Sequence, residues 1–232
     1  MNNNTENLRG HEIIKGPEYS FTKQGTLVFI TGAPLSGKST ISPLVAATIK
    51  SCALQNMDII RLIAQEIDRN KPKSQRNPFV TYGSCDSYVF IGDGSYSPEH
   101  LIEGFNGYSE AVSSVLTGII PKLELQGERN VLFEGVQLIP SFVSPYLTNN
   151  NKLIVIRSDA SQINLNRHGM FAGNQELIDR YSTERILLLQ EEILRQSRTI
   201  PQDKVFYVDN TGDYTDTVIK IIQFLLNSQV IK

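Results

Sequence analysis

A glycine-rich turn between two apolar segments constrains this chain more than any other feature. The residues GAPLSGKS, from Gly32 to Ser39, have the spacing G-x-x-x-x-G-K-S and follow the apolar run TLVFIT at 26–31. The β-branched residues of that run predict a buried strand, and Lys38 to Lys50 has a helical pattern. A turn of this spacing between a strand and a helix is typical of a phosphate-binding loop, the Walker A motif or P-loop.

The chemistry of such a loop follows from its backbone. Its N–H groups and those of the following helix point inward at an anion, and glycine leaves room for that approach. We expect Lys38 to reach the β- and γ-phosphates and the Ser39 hydroxyl to coordinate Mg²⁺. The expected cofactors are ATP and Mg²⁺, and a preference for ATP over GTP stays open. The predicted nucleotide-binding residues are Gly32, Ala33, Pro34, Leu35, Ser36, Gly37, Lys38, Ser39, Thr40, Asp209 and Asn210.

Apolar strand-like runs alternate with helical patterns along the chain. This alternation predicts a parallel sheet with helices on both faces. The expected fold class is α/β, a three-layer P-loop NTPase sandwich of nucleotide-kinase type with a five-stranded parallel sheet in the order 2-3-1-4-5. The predicted strands are 26–31, 51–57, 130–135, 152–157 and 204–210.

The same pattern divides the chain into one main domain and a leader. Residues 1–25 are a polar leader, and residues 26–232 form the predicted kinase domain. Within it, 69–97 is rich in Pro, Gly, Ser, Tyr and Asp, and is expected to lie on the acceptor side. Residues 167–176 are expected to act as a lid, with a loop at 167–174 before one long helix from about 175 to 198.

Composition excludes several other classes of protein. The chain has 232 residues, 40% of them hydrophobic, and a formal net charge of −2, which suits a globular domain and disfavours a nucleic-acid partner. No apolar run is long enough to span a bilayer, so no membrane association is expected. The two cysteines lack C-x-x-C spacing and indicate free thiols. We therefore expect a cytoplasmic protein whose oligomeric state stays open, a homodimer being one option.

Candidate residues for the phosphoryl acceptor follow other predicted strands. Asp58 comes directly after the second strand, and Arg61 lies one helical turn later on the same face. Asp58 is placed to accept or orient a hydroxyl proton, and Arg61 to hold an anionic group. An Asp helix cap with an exposed Arg is the structural alternative. Glu134 ends the third strand, where a carboxylate can hold Mg²⁺, with Ser39, or bind the acceptor.

Two arginines flank the predicted lid. Arg167 and Arg180 are candidates for contacting the transferring phosphoryl group when the lid excludes water. Arg185 and Arg195, on the following helix, are expected to be solvated or paired with Glu191 and Glu192.

The missing motifs narrow the class of nucleotide-binding protein. A switch GTPase would need N-K-x-D and a D-x-x-G after the third strand, and an ABC-type ATPase would need an LSGGQ-like signature; the sequence has neither arrangement. A small P-loop kinase remains. Open alternatives are a kinase for a nucleoside, a sugar or a nucleic-acid end, and a non-enzymatic ATP-binding regulator.

Four stretches in order along the chain resemble the 2-phosphoglycerate kinase family. They are GAPLSGKSTI, NMDIIR, the run from HLIEGFNGYSEAV to NVLFEGVQLIP, and DRYSTERILLLQEEIL. Two departures are that Gln137 stands where the family has histidine, and Ser158-Asp159 where it has a charged pair.

The resemblance implies an activity and roles for particular residues. The implied function is a phosphotransferase with an alcohol group as acceptor, converting 2-phosphoglycerate to 2,3-bisphosphoglycerate with ATP and Mg²⁺. Asp58 would orient or deprotonate the hydroxyl and Arg61 would bind the substrate phosphate. The segment from Ser84 to Tyr88 would line the acceptor pocket, Glu134 would lie near magnesium and substrate, and Arg180 would be a lid arginine.

Overall fold

Five parallel strands form the centre of the protein in a computed structural model that describes residues 18–126, 129–148 and 150–232. We number the strands of this sheet in chain order; their order across it is β2-β3-β1-β4-β5, and every neighbouring pair is parallel. The predicted order 2-3-1-4-5 is therefore confirmed. The bounds are β1 Leu27–Gly32, β2 Cys52–Asn56, β3 Asn130–Glu134, β4 Lys152–Arg157 and β5 Val205–Asp209.

Helices connect successive strands, as the alternating pattern predicts. They are α1 Lys38–Thr48, α2 Met57–Arg69, α3 Pro98–Gln126, α4 Pro140–Val143, α5 Ala160–Met170, α6 Gln175–Arg180, α7 Thr183–Ser197 and α8 Tyr214–Asn227. No helix among the described residues is long and apolar enough to cross a membrane.

The central strand β1 is buried on both faces, which explains its unbroken apolar run. Leu27 and Phe29 belong to a core shared with α3 and α7, whereas Val28 and Ile30 belong to a second core shared with α1 and α8. Successive strand residues point to opposite faces. The single run TLVFIT therefore anchors both helical layers and fixes the phosphate-binding loop at the carboxyl edge of the sheet.

Part of the predicted leader belongs to the folded unit. Residues Tyr19–Ser20 pair in parallel with Ile49–Lys50, and Phe21 forms an antiparallel bridge to Ile231. The Thr22 hydroxyl donates to the carbonyl of Gln229 at 2.6 Å. The rest of the leader, residues 1–17, lies outside the described residues.

Two helical predictions on the lid side are wrong in detail. The expected loop at 167–174 is shorter, because α5 continues to Met170. The expected single helix at 175–198 is two helices, α6 and α7. The break follows from capping: Ser182 accepts a hydrogen bond from the Arg185 N–H and begins a new helix, although the apolar periodicity continues across it. In contrast, α3 continues through Pro121, although proline usually kinks or ends a helix.

The acceptor-side segment packs on α3 through glycine. It forms three short 3₁₀ turns, at Lys73–Gln75, Pro78–Val80 and Ser87–Phe90. A Cβ on Gly104 would lie 2.4 Å from the backbone nitrogen of Tyr88, and a Cβ on Gly107 would lie 2.9 Å from the Phe79 ring. These two glycines of EGFNG therefore let the segment approach the helix closely.

We expect Gly104→Ala to destabilise the protein by about 1–3 kcal/mol, because the new methyl group would overlap immovable backbone. Gly118→Ala in the same helix is the matched control, since its Cβ would meet nothing within 4 Å. The control should stabilise the fold by up to about 1 kcal/mol through helix propensity. Denaturant unfolding of both variants tests this, and equal effects would contradict the packing.

Candidate active site

The phosphate-binding loop is held open by side chains that bind its outward carbonyl groups. Asn166 Nδ2 donates to the Leu35 carbonyl at 2.8 Å, and Asn210 Nδ2 donates to the Ser36 carbonyl at 2.9 Å. The backbone φ angles of Leu35 and Gly37 are +62° and +87°. These left-handed residues reverse the chain and turn its N–H groups toward the inside of the loop.

The inward N–H groups are available to an anion. Within the described part of the chain, the backbone N–H groups of Leu35, Gly37, Lys38 and Ser39 donate no hydrogen bond to protein. Unpaired donors at the start of a helix favour phosphate. A side chain at position 37 would come within 2.4 Å of Asn210 Nδ2, so glycine is required there.

Lys38 is buried at the base of this loop. Its side chain donates from Nζ to the Ala33 carbonyl at 3.0 Å, and only 7% of the residue is exposed. Burial lowers the pKa of the Lys38 ammonium, and the nearby charges of Glu134 and Asp58 partly oppose that shift. A nucleotide phosphate would supply the close negative charge that this ammonium lacks.

Ser39 and Glu134 meet beneath the loop. The Ser39 hydroxyl donates to Glu134 Oε1 at 3.2 Å, and Asn56 Nδ2 donates to Glu134 Oε2 at 2.9 Å. Burial raises the pKa of the Glu134 carboxyl, while Lys38 lowers it. A hydroxyl and a carboxylate at this spacing fit Mg²⁺, which takes a few protein oxygens together with phosphates and water. The two predicted metal ligands are therefore neighbours.

The Asp58 side chain is not used as a helix cap. Asn56 caps α2 by accepting the Asp58 N–H at 2.7 Å. The Asp58 carboxylate, with 59% of the side chain exposed, instead accepts a hydrogen bond from Gln137 Nε2 at 2.9 Å. Gln137 is fully buried, and its Nε2 also donates to Tyr108 Oη at 2.6 Å. This bond fixes Oδ1 of the carboxylate, and within the described residues Oδ2 accepts no hydrogen bond.

Arg61 is a partly buried positive charge in the site without a hydrogen-bond acceptor among the described residues. Its side chain is 24% exposed, and its nearest carboxylate oxygen is Asp58 Oδ1, 3.9 Å from Nε. Within the described residues its guanidinium donates no hydrogen bond. A partly buried guanidinium carries five donors that need acceptors. The position therefore suits a carboxylate or phosphate of a bound ligand.

The segment from Ser84 to Tyr88 lies close to the edge of the sheet that carries the phosphate-binding loop, because Cys85 is near Lys38. Cys85 is fully buried and close enough to Lys38 for their charges to interact; burial raises the pKa of its thiol to about 12. The thiol is therefore neutral and packs as a small apolar side chain. Beside it, burial raises the pKa of the Tyr181 phenol to about 12, so this hydroxyl remains a donor.

The lid-side arginines have different surroundings. Arg180 binds Asp86 at 3.6 Å and Glu176 at 2.8 Å, which links α6 to the acceptor-side segment. Arg167 donates to Asn164 at 2.7 Å and to the Ile178 carbonyl at 3.5 Å, between α5 and α6.

Arg185 contacts the acceptor-side segment, which the sequence did not predict. It was expected to be solvated or paired with Glu191 or Glu192. Instead its guanidinium carbon lies 4.2 Å from the Tyr96 ring centroid and 5.3 Å from that of Tyr88. The residue that binds Glu192 is Arg195, with contacts of 2.7 and 2.8 Å.

Asp209 and Asn210 lie at the predicted sheet edge but differ in environment. The Asp209 carboxylate accepts from Arg157 at 2.7 Å and is 58% exposed. Asn210 is buried and supports the loop backbone, as described above. Direct contact of either residue with nucleotide stays a prediction.

A cavity of about 470 Å³ adjoins the loop and is lined by residues from Lys38 to Tyr214, with Asp58 not among them. Leu165 and Met170 of α5 contribute apolar surface, being 67% and 68% exposed. An apolar, phosphate-proximal cavity of this size suits a nucleobase and ribose. Its remaining lining residues are Leu35, Gly37, Ser39, Thr40, Asn166 and Gly169.

Comparison with protein-family models and with curated sequences gives no match. Solved structures with a related chain path include thymidylate kinase from Candida albicans, at 13% identity and a TM-score of 0.46. That match covers 91% of this chain and 96% of the other. Shikimate kinase from Acinetobacter baumannii matches at 15% identity and a TM-score of 0.49, over 94% and 98% of the two chains. Likeness at this level transfers no substrate.

Proposed function

We propose that this chain is an ATP- and Mg²⁺-dependent kinase that transfers the γ-phosphoryl group to a hydroxyl of a small anionic metabolite. The observation that carries the acceptor class is Arg61, a partly buried guanidinium that donates no hydrogen bond within the described residues and whose nearest carboxylate oxygen, Asp58 Oδ1, is 3.9 Å from Nε. It lies one helical turn from Asp58, which is itself close enough to influence the charge of Lys38. The proposed ATP site and the proposed acceptor site therefore lie at the same edge of the sheet, the carboxyl ends of the strands, where open α/β sheets bind their ligands.

In the proposed mechanism the protein acts mainly by positioning and charge stabilisation. The loop amides and Lys38 would bind the β- and γ-phosphates. Ser39 and Glu134 would hold a magnesium ion, which would supply further charge neutralisation. Asp58 accepts a hydrogen bond from the attacking hydroxyl and orients it, or takes its proton. Gln137 holds the Asp58 carboxylate in place.

The acceptor is proposed to bind between α2 and the segment that contains Ser84 and Tyr88. Arg61 would bind its anionic group. Arg180, tied to that segment through Asp86, and Arg167 would contact the transferring group when the lid side closes. The specific acceptor that we propose is 2-phosphoglycerate, which rests on the sequence resemblance.

Acceptor-dependent ADP release tests the substrate class. The panel should contain 2-phosphoglycerate, glycerate, other phosphorylated three-carbon acids, sugars, nucleosides and oligonucleotides with a free 5′ hydroxyl. We expect the anionic three-carbon compounds to stimulate ADP release most. Stimulation only by nucleosides or oligonucleotides would favour the alternative kinase. A panel in which nothing stimulates turnover would favour an ATP-binding regulator.

Arg61→Ala should raise the KM for the anionic acceptor by about 10²-fold, since a charge-assisted bidentate contact is worth about 1.5–3 kcal/mol. The KM for ATP should change by less than about threefold, because the loop contacts remain. Lys220→Ala, an exposed lysine on α8, is the control and should change neither constant. An unchanged acceptor KM in Arg61→Ala would remove Arg61 from the acceptor site.

A further inference from the structure

Helix α2 leaves a stripe of large apolar side chains exposed. The four large apolar side chains of this stripe, Ile59, Leu62, Ile63 and Ile67, are 60%, 54%, 55% and 59% exposed. Leu62 and Ile63 lie three and four residues after Ile59, and Ile67 lies four residues after Ile63, which places all four along one side of the helix. The side that packs inward carries the buried Met57, with Ile60 and Ala64 against the core, beside Arg61 and Asp68. The larger apolar stripe of the helix is therefore the one left exposed.

The position of α2 makes this stripe accessible to a second protein surface. The helix follows β2, which is an edge strand of the sheet, and the residues of β2 are themselves only partly buried or exposed. A contiguous apolar stripe flanked by polar residues marks an interaction site more often than scattered exposed residues do.

The charges at the ends of the stripe indicate which partner fits. Asp58, in the first turn of α2, is 59% exposed. At the other end, Arg69 is 73% exposed and pairs with Glu66 at 3.3 Å, and Lys71 is 45% exposed and pairs with Asp68 at 3.1 Å. The exposed Lys73 and Arg76 just beyond them leave this end with a surplus of positive charge. A second α2 running antiparallel would place acidic residues against basic ones and oppose the two helix dipoles. A parallel second helix would place like charges together.

We propose that the chain forms an isologous homodimer through antiparallel packing of α2 against α2 of a second copy. The two-fold axis passes near Ile63, so that Ile59 of one copy meets Ile67 of the other. The apolar stripe is the centre of the interface and its charged ends are the rim. At a rise of about 1.5 Å per residue, Arg69 of the second copy lies level with the first turn of α2, beside the acceptor side.

Sedimentation velocity of the full chain at tens of micromolar tests the proposal. The wild-type protein should be a dimer. Ile63→Glu should raise the dissociation constant by ~100-fold or more, because two carboxylates would face each other in an apolar contact. Leu44→Glu is the matched control: Leu44 is 41% exposed on α1 and lies outside the stripe. It should leave the dimer intact.

Cysteine cross-linking provides a test that does not depend on destabilising the dimer. A residue on a two-fold axis meets its own copy, so Ile63→Cys should form an intermolecular disulfide on mild oxidation, and Leu44→Cys should not. Wild-type protein controls for the native thiols, of which Cys85 is buried and Cys52 partly buried. A monomeric wild-type chain would overturn the proposal and leave the stripe to residues 1–17 or another protein. A dimer that survives Ile63→Glu would also overturn it.

Discussion

Lys38→Ala is expected to lower kcat by ~10³-fold or more. Lys38 is the only lysine in the loop, where its Nζ donates to the Ala33 carbonyl. In the proposed mechanism its ammonium stabilises the negative charge that develops on the transferring phosphoryl group. The Lys38 side chain is buried, and burial lowers the pKa of its ammonium. A bound phosphate would therefore stabilise its charged form. Steady-state ADP release at saturating acceptor measures the loss.

The same variant should also lose most of the thermal stabilisation that Mg·ATP gives the wild-type protein, since that stabilisation rises with the logarithm of the ligand concentration relative to Kd. The exposed Lys220→Ala variant is the control for loss of a positive charge. A kcat within a factor of a few of wild type would contradict the role of Lys38.

Asp58→Asn is expected to lower kcat by ~10²–10⁴-fold, the range for loss of a general base, while ATP affinity stays within a few-fold of wild type. The substitution keeps the shape of the side chain and an oxygen that can accept from Gln137 Nε2. It removes only the negative charge that would accept the hydroxyl proton. The helix start should not suffer, because Asn56 caps α2.

Single-turnover transfer, measured beside equilibrium ATP binding, separates the two effects of this variant. Asp216→Asn, an exposed carboxylate at the start of α8, is the matched control and should retain full activity. Near-normal transfer by Asp58→Asn would exclude Asp58 from the mechanism.

The sheet and its loop could be predicted because their signals are local. The run TLVFIT needs to be apolar on both faces, and the GAPLSGKS spacing specifies a loop that joins a strand to a helix. The positions of Asp58 and Glu134 at this edge could be predicted for the same reason, since each follows or ends a strand and parallel strands end at one edge.

Long-range contacts could not be predicted from the sequence. Gln137 binds Asp58 from a position 79 residues away, and only the fold brings the two together. Arg185 is similar, because helical periodicity gives its direction on α7 but not the Tyr88 and Tyr96 rings that it meets. The break between α6 and α7 was hidden by apolar periodicity that continues through Tyr181–Ser182. The exposure of Ile59, Leu62, Ile63 and Ile67 on α2 could not be predicted either, because periodicity indicates an apolar stripe but not what covers it.

Transfer of label from γ-labelled ATP to 2-phosphoglycerate is the most direct test of the proposed kinase activity. The full chain would be incubated with Mg·ATP with and without acceptor, and the product identified by phosphorus NMR, with Lys38→Ala in parallel. We expect label to appear stoichiometrically on the acceptor hydroxyl. This transfer should depend on Mg²⁺ and be lost in Lys38→Ala. ATP binding without label transfer to this or any other hydroxyl compound in the acceptor panel would contradict it.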